Sequence, residues 1–295
     1  MTFNDDSSIS GSKVRRRGRT AGLAVGGGGI GVVALVLLGT FLGVDLTPFL
    51  GGGGVGGGTS QEESSLASEC QTGADANADV NCRMSAAYVS LDDYWVDAGP
   101  TIGIDYREPS FVLFDQATTT GCGNATSATG PFYCPPDESI YLDTTFYEQL
   151  RTRFGANGGP LAELYVVAHE WGHHMQQIGG IFDGTDRSAS GPGSDTIRLE
   201  VQADCFAGAW VAGASQTEDE NGVPLLEPVT PAQIQDALSA ASAVGDDRIQ
   251  ESAGGGVNPE TWTHGSSEQR QRWFLAGYED GATACDTFAP AAGEL

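Results

Sequence analysis

The sequence predicts an α+β domain, mainly helical with a small β-sheet, preceded by one transmembrane helix. Three observations carry that expectation. Several segments space apolar residues three and four apart between recognisable caps, two short runs are of β type, and a charge-free stretch follows a basic cluster. The chain's 295 residues are ample for a sizeable core.

Residues 1–20 are polar and hold Lys13, Arg15, Arg16, Arg17 and Arg19, five of the fourteen basic residues. They read as a disordered, basic cytoplasmic tail. Residues 21–44 carry no charge, and as a helix they would extend about 36 Å, enough to cross a bilayer. The run exceeds a signal h-region and no Ala-x-Ala site follows it, which favours an uncleaved anchor. The basic flank then stays cytoplasmic. The expected localisation is therefore a single-pass cell-membrane protein with its main domain extracytoplasmic. Residues 45–69 include GGGGVGGG and read as a flexible tether. Residues 70–295 have the composition of one globular domain.

Within that domain, 84–97 and 144–154 have helical spacing, while 111–114 and 140–142 are β runs expected to pair. Asp143 follows the second run as a candidate helix N-cap. Pro160 and Gly179–Gly180 bracket a helix over 160–178, and a second covers about 195–214. Thr230-Pro-Ala-Gln and Ser266-Ser-Glu-Gln each open a further helix with a capping box, the last running to Tyr278. Trp171, Met175 and Trp210 are expected in the core between helices.

Six cysteines outside a membrane favour disulfides. Fifteen pairings are open. The sequential set Cys70–Cys82, Cys122–Cys134 and Cys205–Cys285 is preferred, with a buried free thiol at Cys205 as the alternative. A net charge of −25 repels phosphate backbones and excludes a nucleic-acid partner.

The chemistry concentrates in His169-Glu170-Trp171-Gly172-His173. Two histidines four apart share one helical face and can reach a single ion, with Glu170 one step round beside a metal-bound water. A tetrahedral zinc needs a third protein ligand, and Glu200-Val-Gln-Ala-Asp204 on the next helix offers two carboxylates on one face. Glu200 is the expected ligand, and Asp204 the acceptor of a ligand histidine's free ring N–H. The alternative pairs these carboxylates with Arg198 or another base on a solvated face. His264, in a loop before a helix N-terminus, is a candidate catalytic donor to a developing oxyanion. Its alternative role is to structure that loop. His174 lies about 100° round from His173 and is not assigned to the metal. Tyr106 and Tyr141 are possible carbonyl contacts with nothing to choose between them.

Glu-x-x-x-Asp after His-Glu-x-x-His is the gluzincin pattern. Over roughly residues 105–278 the chain resembles the neutral zinc metallopeptidase family of bacterial membrane-anchored proteins. The matching segments are Thr120-Gly-Cys-Gly with Gly130-Pro-Phe-Tyr-Cys-Pro, Ile140-Tyr-Leu-Asp, Val167 to Gln176, Leu199 to Gly208, and Thr263-His-Gly-Ser-Ser-Glu-Gln-Arg with Trp273-Phe274. The resemblance implies a zincin-like domain with one Zn2+ held by His169, His173 and Glu200, and Glu170 as the base. It also implies peptide-bond hydrolysis on a protein or peptide substrate. Zinc would lower the pKa of its water to about 7, and Glu170 would take the proton and deliver it to the leaving amine. Two other readings stand beside it: a zinc-stabilised, catalytically silent surface scaffold, and a zinc amidase acting on the cell envelope.

Overall fold

The computed structural model describes residues 2–18, 63–254 and 256–295. They form a mixed α/β fold, about half helical, with two small sheets. The strands are β1 (Arg15–Arg17), β2 (Glu63–Ser65), β3 (Ser110–Phe114), β4 (Ala117–Thr120), β5 (Gly123–Thr126), β6 (Phe132–Cys134) and β7 (Ser139–Leu142). The helices are α1 (Gly73–Ala78), α2 (Val80–Thr101), α3 (Phe146–Thr152), α4 (Pro160–Ile178), α5 (Asp195–Gly213), α6 (Pro231–Ala243), α7 (Asp246–Ser252) and α8 (Ser267–Asp280).

The larger sheet has the order β2-β1-β3-β7-β6. β3 runs parallel to both β1 and β7, with Phe111 opposite Ile140, so the two expected strands do pair. β6 closes the sheet antiparallel to β7. β4 and β5 form a separate hairpin. Asp143 is not a helix cap. Its Oδ1 accepts from Thr145 N–H at 2.9 Å and its Oδ2 from Gln116 N–H at 3.1 Å, pinning the strand's exit to the hairpin.

On the helical side, α4 packs against α5, α6 and α2, while α5 lies along α8. Trp95, Trp171 and Trp210 are fully buried between these helices, and Met175 with them. Glycines set the spacing. A Cβ at Gly208 would stand 1.9 Å from Phe274 O, and one at Gly277 would stand 1.8 Å from Cys205 O. The α5 and α8 backbones are therefore in direct contact. A Cβ at Gly172 would meet Ala203 Cα at 2.8 Å, so α4 and α5 also cross closely at the level of the histidines.

All three disulfides join the sequential pairs, Cys70–Cys82, Cys122–Cys134 and Cys205–Cys285, and no cysteine among the described residues is free. The third spans 80 residues and ties α5 to the C-terminal segment. Replacing Cys205 and Cys285 together by alanine should lower stability by about 4 kcal/mol through loop-closure entropy. A shift of the urea midpoint under non-reducing conditions measures it.

The domain limits differ from the sequence expectation. Residues 2–18 are not a disordered tail: Phe3, Ile9 and Val14 are buried in the core and β1 is an interior strand. The last residues of the expected tether form β2 and a turn that buries Leu66. The expected membrane span at 21–44 lies outside the described residues. Among the described residues no helix is long and apolar enough to cross a membrane.

Candidate metal centre

α4 begins at Pro160 and is followed by Gly180 in the left-handed conformation, φ 71°. Its 3.6-residue turn stacks His169 and His173, whose ring centroids are 4.7 Å apart. α5 begins at the Ser194 cap and brings Glu200 across from them. His169 Nε2 lies 3.3 Å from Glu200 Oε2, and His173 Nε2 lies 3.6 Å from Glu200 Oε1. Two ring nitrogens and a carboxylate oxygen thus lie within 4.8 Å of one another, all buried, as a metal site requires.

Hydrogen bonds aim each imidazole. His169 Nδ1 is 2.8 Å from Asp204 Oδ1, and His173 Nδ1 is 2.9 Å from Gln176 Oε1. An N–H donated at each Nδ1 leaves each Nε2 lone pair toward Glu200. Burial works against charge on His169, yet Asp204 and Glu200 overcome it and raise the pKa to about 9. Positive charge is favoured at that point. Burial, helped by the neighbouring His169, carries His173 the other way, to about 4, and keeps it neutral. Glu200 stays ionised despite burial because His264, His169 and His173 surround it. The donor set suits zinc: two imidazoles and one carboxylate, with no fourth ligand in the group among the described residues.

The carboxylates are not solvated, and Arg198 does not pair with them. Its guanidinium bonds the Thr287 and Gly193 carbonyls instead. The cation is Arg270, in the first turn of α8. Its Nε donates to Asp204 Oδ2 at 2.7 Å and an Nη donates to Asp204 Oδ1 at 2.9 Å. The same Nη lies 3.2 Å from Tyr165 OH and 3.9 Å from Glu200 Oε2. The Arg270 side chain is 3% exposed, so this is a buried bidentate pair.

These groups border a cavity of about 120 Å3. His169, Glu170, His173, Glu200, His264 and Arg270 supply its polar side, facing an apolar side that includes Phe132, Phe146, Leu150 and Val166. Burial raises Glu170 to about 7, against opposing effects that include the Tyr133 main-chain hydrogen bond. His264 rests on Asp246: its Nδ1 is 3.1 Å from Asp246 Oδ1. Asp246 Oδ2 accepts the main-chain N–H groups of Thr263, His264 and Gly265 at 2.7, 2.7 and 3.0 Å. His264 thus borders the cavity while Asp246 ties down its loop.

His174 is turned away. Its Nδ1 meets Tyr133 OH at 3.0 Å and its Nε2 the Arg107 carbonyl at 2.6 Å. Tyr106 and Tyr141 do not border the cavity. They donate instead to Asp92 and Asp137, at 2.7 and 2.8 Å. Arg270, Asp246 and Gln176 belong to the site without any motif that marks them for it. Gln176 had a legible signal, three residues after His173 on the same helical face. A buried Asp204 calls for a cation, but nothing local says which arginine arrives.

No solved structure matches this chain. Uncharacterised proteins of Mycobacterium tuberculosis and Mycobacterium bovis are each 51% identical to it over 226 residues, which is 76% of either chain. The uncharacterised protein YpfJ of Escherichia coli is 35% identical over 289 residues, 92% of this chain and 94% of YpfJ. The family described as "Putative neutral zinc metallopeptidase" matches residues 3–288. The match covers the two-histidine helix, the Glu200–Asp204 helix and the docked N-terminal segment alike, and this chain belongs to that neutral zinc metallopeptidase family.

Proposed function

We propose that the protein is a zinc-dependent metallopeptidase that hydrolyses peptide bonds in a protein or peptide substrate. The observation that carries the reading is the buried convergence of His169, His173 and Glu200 beside Glu170 at the wall of a cavity. Those three would hold the metal. When bound, zinc acidifies a water and polarises a carbonyl. Glu170, at the cavity wall beside the ligand group, would serve as base and later as acid, accepting the water's proton and returning it to the leaving amine. Asp204 and Gln176 fix the imidazole tautomers, and Arg270 compensates the two buried carboxylates of α5.

His264 serves as the donor to the oxyanion. Asp246 occupies its Nδ1, leaving Nε2 for the substrate, and the neighbouring carboxylates Asp246 and Glu200 raise its pKa against burial. His264→Ala should lower turnover about 10²-fold with zinc content unchanged. Asp246→Asn should have a smaller effect on turnover, accompanied by loosening of the 263–265 loop. Steady-state kinetics on the zinc-loaded variants separate the two.

The reading as a whole is tested on the full purified chain. It should contain one zinc, hydrolyse an unfolded protein, lose that activity to a chelator and regain it on adding zinc. A chain that retains zinc yet cleaves no peptide in a diverse library would overturn it.

A further inference from the structure

The N-terminal segment is built into the catalytic unit. Phe3, Ile9 and Val14 are 1%, 0% and 0% exposed. Main-chain hydrogen bonds hold the segment along its length: Asn4 N–H to Leu225 O at 3.0 Å, Ile9 N–H to Gln71 O at 2.9 Å, and Leu66 N–H to Val14 O at 3.3 Å. Asn77 accepts from Phe3 N–H at 3.0 Å and donates to Phe3 O at 2.8 Å. β1 lies between β2 and β3 and pairs with both. Lifting it out would strip the β3 edge of its partners, at a cost for every orphaned polar group.

β1 also supports the cavity wall. The Arg17 guanidinium sits 5.6 Å over the Tyr141 ring, which stacks on Phe132 at 5.2 Å. Phe132 borders the cavity.

Arg17 stands opposite Glu63 in the β1–β2 register, so the chain departs from and returns to the fold at adjacent points, about 5 Å apart. One crossing by residues 21–44 would put those points on opposite sides of about 30 Å of hydrocarbon. A second crossing would fall to residues 45–62, a glycine-rich sequence without an apolar run long enough to satisfy its backbone in lipid.

We propose that residues 2–18 and 63–295 fold as one unit in one compartment, with the N-terminal strand an obligatory part of the site's wall. A single-pass anchor and this folded unit exclude each other. The proposal is independent of the peptidase reading, because it concerns placement and not chemistry.

The test uses the full chain in bacterial cells, with a single cysteine added at exposed Ser10 or at exposed Ala291 and a membrane-impermeant maleimide as the probe. Both positions should label alike, either both in intact cells or both only after permeabilisation. Labelling of one in intact cells and the other only after permeabilisation, in a chain that resists proteolysis, overturns the proposal. Docking is tested separately on purified full chain. Val14→Asp should lower the urea midpoint well below that of Ser10→Asp, which should match the unmodified chain. Equal midpoints for the two variants would show that the segment does not dock.

Discussion

Glu170→Gln should lower peptide hydrolysis by about 10²- to 10⁴-fold while one zinc remains bound, the range attributable to a positioned proton acceptor. The amide preserves the size and buried fit of the side chain. It cannot accept a proton, and it stands outside the His169–His173–Glu200 ligand group, so metal binding has no reason to change. Burial at the cavity wall raises the carboxyl to about 7, near the pH at which a group both takes and gives a proton. Turnover and metal content measured on one preparation decide the matter. Activity within tenfold of the unmodified protein, with zinc present, would remove Glu170 from the reaction.

Arg270→Met should destabilise the protein by about 3–5 kcal/mol, because it leaves Asp204 and Glu200 as uncompensated buried charges. Methionine occupies much of the same volume, so the loss reports charge more than packing. Arg270→Lys should recover only part of it, since an ammonium cannot reproduce the two-toothed contact with Asp204. Asp204→Asn combined with Arg270→Met should cost less than the sum of the single changes, as expected for a directly contacting pair. Urea denaturation of the four proteins gives the coupling energy. A change below 1 kcal/mol for Arg270→Met would mean that water reaches these carboxylates.

What the sequence revealed depended on whether a local rule was operating. Pro160 with its following glycines delimited α4 to the residue, and the capping boxes at Thr230 and Ser266 marked the starts of α6 and α8. Helical spacing placed His169, His173, Glu200 and Asp204 on facing sides of two helices, and the contacts follow from that placement. β1 obeyed no such rule. Its three arginines show no alternation, and Phe3, Ile9 and Val14 fit neither a period of 2 nor of 3.6. Their burial comes from segments distant in sequence, around Leu66, Gln71 and Leu225, so composition alone suggested a solvated tail. α7 was missed for a related reason, being seven residues long and mostly polar. Its first residue, Asp246, matters through a tertiary contact with His264 that no spacing encodes.

The touching backbones at Gly208 and Gly277 have a consequence for the site's dimensions. Arg270 rides on one of those two helices, and Glu200 and Asp204 ride on the other. The gap between guanidinium and carboxylates is thus gauged by peptide planes in abutment, a hard stop that side-chain rearrangement elsewhere cannot adjust. Any enlargement of either glycine would act as a shim, prising the charge pair apart before it disturbed the histidines.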